Sequence, residues 1–179
     1  MIEVFVESIR VNMANYKRVV MLKEKSSTRY LPIWIGHFEA DAIAIPMQKV
    51  PVSRPLTHDL LRSAIDTLGA KLEHVIIHDL ADETFYAKLV LARDGQSVEV
   101  DARPSDAIAL AIRAEVPIYV EEKVIDSAGM VFDSEEGEAG EGKRGAKDDV
   151  PLDETKLSVF KQFIDSLDID DIGKAGESK

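Results

Sequence analysis

Cysteine is absent from this chain, which excludes a disulfide framework, a thiolate zinc site and a cysteine nucleophile. No apolar run approaches the ~18 residues that a membrane span needs, so no membrane partner is expected. The opening MIEVFVESIR has no basic stretch followed by an apolar one, so no signal peptide is expected and the protein is read as cytoplasmic. A Gly-rich phosphate loop, a nucleophile elbow, a kinase signature and HExxH are all missing. His74 and His78 lie four residues apart on one predicted strand, ~13 Å apart at ~3.3 Å per residue, too far to share one zinc ion. A basic patch is also lacking. Net charge is −11, and phosphate-neutralising proteins usually concentrate Lys and Arg on one face.

That acidity is uneven. Residues 1–130 carry 15 Lys/Arg against 19 Asp/Glu, a net of −4, whereas residues 131–179 carry 7 against 14, a net of −7. If the body meets nucleic acid, a divalent cation or a surface built from two subunits has to offset the repulsion. The length of 179 residues suits about one domain with a tail, at ~100–200 residues per domain. We place the domain over residues 1–130, an acidic flexible linker over 131–151 and an amphipathic C-terminal helix and tail over 152–179. Residues 133–149 are mostly Gly, Glu, Asp, Lys and Ala without apolar period. Leu157, Phe160, Ile164 and Leu167 then recover one face of a helix.

The chain centres on Asp101–Val120, DARPSDAIALAIRAEVPIYV. Ala107, Ile108, Leu110, Ala111 and Ile112 leave its helix no wide polar face, which predicts a buried helix. Pro104 and Ser105 suit a helix start, and Asp106 falls in the first turn, where the dipole favours an anion. Arg103 and Arg113 flank it. Strands are predicted at 2–11, 18–22, 30–35, 73–80, 84–91, 96–102 and 118–121. Asp94-Gly95 is a two-residue hairpin signal. Arg18–Leu22 is apolar on both faces and predicts a central strand, and Pro32 predicts an edge position. Val98, Val100 and Ala102 are expected to point inward. Helices are predicted at 38–49, interrupted by Pro46, and at 58–68 behind Thr57. The order is βββ, αα, βββ, α, β. It predicts an α+β fold, with a mixed, mainly antiparallel sheet, three helices in the body and the C-terminal helix.

Carboxylates at helix starts are the candidate chemistry. Glu39 and Asp41 follow Gly36, Asp59 sits beside His58, and Asp101 and Asp106 bracket the central helix. Two or three carboxylates holding Mg²⁺ or Mn²⁺ can screen a phosphate and activate water. The same residues also serve as first-turn charges and ion-pair partners. Arg54 and Arg103, each directly before a proline, can clamp a phosphate or pair internally.

Four runs, RYLPIWIGHFEADAIAI (29–45), RPLTHDLL (54–61), TFYAKLVL (84–91) and ARPSDAIALAIRAEVPIYV (102–120), resemble the bifunctional nuclease domain family in order and spacing. The helix at 153–167 resembles the tail of its bacterial members. The resemblance implies a homodimer that hydrolyses both RNA and DNA. It draws attention to Glu39, Arg54, His58, Asp59, Arg103, Ser105 and Asp106. On this reading Glu39, Asp59 and Asp106 hold the divalent metal, His58 moves a proton, and Arg54, Arg103 and Ser105 contact nucleic acid. Pro46 and the acidic linker depart from the family pattern. The rival expectation is a non-catalytic dimeric binding or regulatory module, in which the same polar residues are caps and internal ion pairs.

Overall fold

The computed structural model describes residues 1–12 and 16–131. The linker and the C-terminal helix expected beyond them lie outside the described residues. The main unit takes in residues 1–10 and 18–131 of these. Of the remainder, the Asn12 N–H donates to the Lys17 carbonyl at 2.9 Å and the Tyr16 N–H to the Asn12 carbonyl at 2.7 Å.

Among the described residues eight strands and four helices follow one another as β1 (Ile2–Val11), β2 (Arg18–Glu24), β3 (Arg29–Ile35), α1 (His37–Met47), α2 (Thr57–Thr67), β4 (Ala70–Ala81), β5 (Thr84–Arg93), β6 (Gln96–Ala102), α3 (Pro104–Ala114), β7 (Ile118–Val120), α4 (Glu122–Ala128) and β8 (Met130–Val131). The strands form one sheet in the order β6-β5-β4-β7-β1-β2-β3-β8. β7 lies antiparallel to β1 and parallel to β4, so the sheet is mixed, with antiparallel pairing dominant as expected for an α+β fold. Among the described residues no helix is long and apolar enough to cross a membrane.

The apolar core explains the order. Val19, Val20, Met21 and Leu22 of β2 are all fully buried, as a strand apolar on both faces requires. The β3–β8 ladder covers only Arg29 and Tyr30, so Pro32 falls beyond it, where β3 needs no donor on its outer side. Asp94 and Gly95 both have positive φ, 51° and 75°, the two-residue turn that matches strand twist. α3 is buried from Pro104 through Ala111, Asp106 excepted, and packs with Val75, Ile77, Ala87 and Leu89.

Three expectations need correction. β4 carries register shifts between Leu72 and His74 and between Ile77 and Asp79. Strict alternation along the strand predicted at 73–80 puts His74, Ile76, His78 and Leu80 on one face; these bulges reset it, so Leu80 joins Val75 and Ile77 at the core. Val98 and Val100 lie beside Leu91 and Leu89 on the helix side, yet both are well exposed, because β6 is an edge strand. α4 was not predicted. Its Asp126 binds Arg29, and Arg29 donates to the buried Glu24, which also receives the Ser26 and Ser27 hydroxyls.

Pro46 sits in the last turn of α1, which ends at Met47. It has no N–H to give the Ala42 carbonyl four residues back. That carbonyl accepts instead from Arg113 of α3 at 2.6 Å. The carbonyl that Pro46 leaves without its helical donor is thereby satisfied by a side chain.

Candidate functional site

The N-terminal ends of α1, α2 and α3 carry the polar motif residues. Pro104 starts α3 with the required φ and needs no N–H partner, and Arg103 is the residue just before it. Asp106 stands in the first turn. Its carboxylate receives three donors: Arg103 Nε at 2.7 Å, Arg103 NH2 at 3.1 Å and His58 Nε2 at 3.2 Å. Arg103 also donates through NH1 to Glu39 Oε1 at 2.9 Å. Glu39, Arg103, Asp106 and His58 thus form one continuous chain of charged and hydrogen-bonding groups drawn from α1, α2 and the β6–α3 junction.

Burial acts to raise the Asp106 carboxyl, but hydrogen bonds from Arg103 and His58 and their charges outweigh it and hold it below the ordinary carboxylate range. The same hydrogen bond to Asp106, with its charge and the bond to Glu39, raises Arg103 above its ordinary value. Both are fully ionised at neutral pH. An ionised carboxylate only accepts, so His58 Nε2 carries a proton and donates it to Asp106. His58 is 13% exposed, while Arg103 is 64% exposed. The imidazole is held in place while the guanidinium faces solvent.

Asp59 belongs to a different group. Oδ2 accepts the Leu56 N–H at 2.8 Å at the start of α2, and Oδ1 accepts Arg113 Nε at 2.7 Å. Burial raises its carboxyl, and those two hydrogen bonds with the Arg113 charge bring it net below the ordinary range. Arg113 is only 5% exposed and also donates to the carbonyls of Ala42 and Ala109. Arg62 donates to the Arg113 carbonyl. Asp59–Arg113 therefore ties α1, α2 and α3 together beneath the surface.

Glu39, Asp59 and Asp106 do not come together as one carboxylate cluster, and among the described residues no three His, Asp or Glu side chains are placed to share an ion. Asp59 fits a metal-ligand role poorly, since an ion there would leave the Arg113 guanidinium, only 5% exposed, without its counter-charge. Glu39 and Asp106 fit better, because their carboxylates already share one cationic group, the Arg103 guanidinium. Ser105 is largely buried as a residue, in the first turn of α3. Arg54 is exposed and forms no ion pair among the described residues. Asp41 lies 3.9 Å from His37, on the surface of α1.

Gly36 is a residue whose role the sequence did not reveal. Its φ of −75° and ψ of 173° are open to any residue, so backbone freedom does not explain the glycine. A Cβ there would overlap Glu39 Oε2 and lie 3.1 Å from Glu39 Cδ. The glycine leaves room for the Glu39 carboxylate to fold back and reach Arg103.

The site is open. A groove of about 420 Å³ lies at the opposite end of α3, lined in part by Phe5, Met47, Ile112 and Val116, and includes none of the candidate residues. Small ligands are usually engulfed in concave pockets. A polar cluster on an exposed helix-end surface instead suits a segment of a polymer.

The profile of the bifunctional nuclease domain matches residues 20–133, a span that contains every member of the cluster. An uncharacterized protein of Mycobacterium tuberculosis is 45% identical over 169 residues, covering 94% of this chain and 96% of its own. Bifunctional nuclease 2 of Arabidopsis thaliana is 31% identical over 127 residues, 69% of this chain but 39% of the plant protein. Bifunctional nuclease 2 of Oryza sativa is 30% identical over 115 residues, 63% and 35% of the two chains. On the matched span and these relatives together, the chain belongs to the bifunctional nuclease domain family.

Proposed function

We propose that this protein is a nuclease that hydrolyses phosphodiester bonds of RNA and DNA at the Glu39–Arg103–Asp106–His58 cluster. The observation that carries the reading is the Asp106 carboxylate, shared between a histidine and an exposed arginine. Arg103 presents the fixed fork that matches phosphate oxygens. It neutralises the negative charge carried by the phosphoryl oxygens in the transition state. His58, oriented through Nε2 by Asp106, takes a proton at Nδ1 from the attacking hydroxyl or water and returns one to the leaving oxygen. Glu39 holds the third nitrogen of Arg103 and fixes the plane of the guanidinium. Arg54, beside the start of α2, is a second phosphate contact.

Mg²⁺ or Mn²⁺ would be held by Glu39 and Asp106, without Asp59. When bound, it would screen the phosphate and lower the pKa of water. Glu39 and Asp106 would offer such an ion the same oxygens that now hold Arg103, whose guanidinium would then be free to contact phosphate. Mn²⁺ binding followed by its paramagnetic signal should weaken in Glu39→Gln, independent of turnover. The homodimer implied by the resemblance belongs to the same proposal, and sedimentation of the full chain reads it. The test of function is cleavage of labelled RNA and DNA strands by the purified chain, with and without chelator, beside the same chain altered at Glu39 and Asp106.

Gly36→Ala separates position from fold. The overlap falls on the flexible end of Glu39, so the thermal midpoint stays close to wild type, as for surface changes of about ±0.5 kcal/mol. Cleavage falls about 10- to 100-fold, the cost of displacing a positioning group by about an ångström. Unchanged cleavage would mean that the Glu39–Arg103 contact is not used.

A further inference from the structure

We propose that Phe38 stacks on an unpaired base, so that the site selects single-stranded nucleic acid; this rests on the nuclease reading of the neighbouring cluster. Phe38 is 81% exposed, more than any other large apolar side chain among the described residues. It occupies the first turn of α1, between His37 and Glu39. The His37 ring stands 5.5 Å away, tilted by 47°, and the phenyl ring stays largely exposed, one residue before Glu39 in the chain. An isolated exposed apolar side chain needs no explanation by itself. This one is a planar ring adjoining the residue that anchors Arg103.

Charge decides which form of nucleic acid fits. The cluster sets two carboxylates against Arg103 and His58, and Arg54, four residues before His58, adds an exposed cation. Proteins that grip duplex DNA through its backbone neutralise on the order of 6–10 phosphates. Two arginines set in an acidic body do not supply that. Stacking on an aromatic ring draws affinity from the face of the base, needs no positive charge and is tolerant of sequence. A base inside a duplex keeps its faces against its neighbours and cannot offer one. An unpaired base can, whether on ribose or deoxyribose, so one platform serves both RNA and DNA strands.

The experiment uses the full chain and a labelled single strand with phosphorothioate linkages, which resist cleavage. Anisotropy is compared for the intact strand, the same strand with abasic sites and the duplex. Stacking is worth ~1–3 kcal/mol per base, so Phe38→Ala should weaken the intact strand by about 5- to 150-fold. Phe38→Trp should retain the affinity. Wild type should bind the abasic strand about as weakly as Phe38→Ala binds the intact one, and the duplex more weakly than the single strand. Equal affinity of wild type and Phe38→Ala, with cleavage still dependent on Asp106, would overturn the stacking role and leave the nuclease reading standing. Equal binding of abasic and intact strands would overturn it too. Absence of binding by wild type to any strand would remove both.

Discussion

Replacing Asp106 by Asn should lower kcat/KM for cleavage of RNA and DNA strands by about 10²–10⁴-fold, the usual contribution of a positioned acid–base pair. The side chain keeps its size, but the amide loses the charge and turns a donor toward groups that only donate. All three contacts to Asp106 come from N–H groups of Arg103 and His58. His58 is then free to adopt the other tautomer, with the proton on Nδ1. Stability should change little, because the Arg103 partner is mostly exposed and such pairs contribute about 0–1 kcal/mol. His58→Ala should fall by a similar factor. The two changes together should cost no more than either alone, because the residues act as a unit. Independent, multiplying losses would show that they work separately.

Asp59→Asn should do the reverse, destabilising the protein by about 3 kcal/mol while sparing the chemistry. It leaves the Arg113 guanidinium buried without its counter-charge, a loss near the lower end for a broken buried pair because Asp59 is a third exposed. At about 2–4 °C per kcal/mol for a chain of this size the thermal midpoint drops measurably. The pH dependence has a definite sign. The Asp59 carboxyl lies below its ordinary value in the folded state. Its contribution is therefore full above the unfolded value of about 4 and is lost as pH falls through the folded one. The stability difference between wild type and variant should begin to shrink as pH falls below about 4. Well below its melting temperature the variant should cleave within a few-fold of wild type. A folded but inactive Asp59→Asn would return Asp59 to the reacting groups.

The sequence was most legible where one residue's chemistry allowed one arrangement. Pro104 before an apolar run gave the buried helix, Asp94-Gly95 the hairpin, and Val19–Leu22 the central strand. It was least legible where a distant partner decided. Leu72 and Leu80 reach the core through bulges that no local signal marks. Asp59 looks like its motif neighbour His58 in sequence, yet faces Arg113, which is 54 positions away. Arg113 was recognised only as a flank of the central helix, because nothing local shows that it anchors two other helices. Gly36 resembled an ordinary turn glycine, and its meaning depends on where the Glu39 carboxylate folds. Pro46 predicted a helix interruption, but not that Arg113 would take up the carbonyl it leaves.

The most direct measurement is cleavage of labelled RNA and DNA by the Glu39→Gln, Asp106→Asn double variant, with circular dichroism and melting confirming that it is folded. Loss of both cleavages at near-wild-type stability is the predicted result. Undiminished cleavage of either strand by the folded double variant would contradict it.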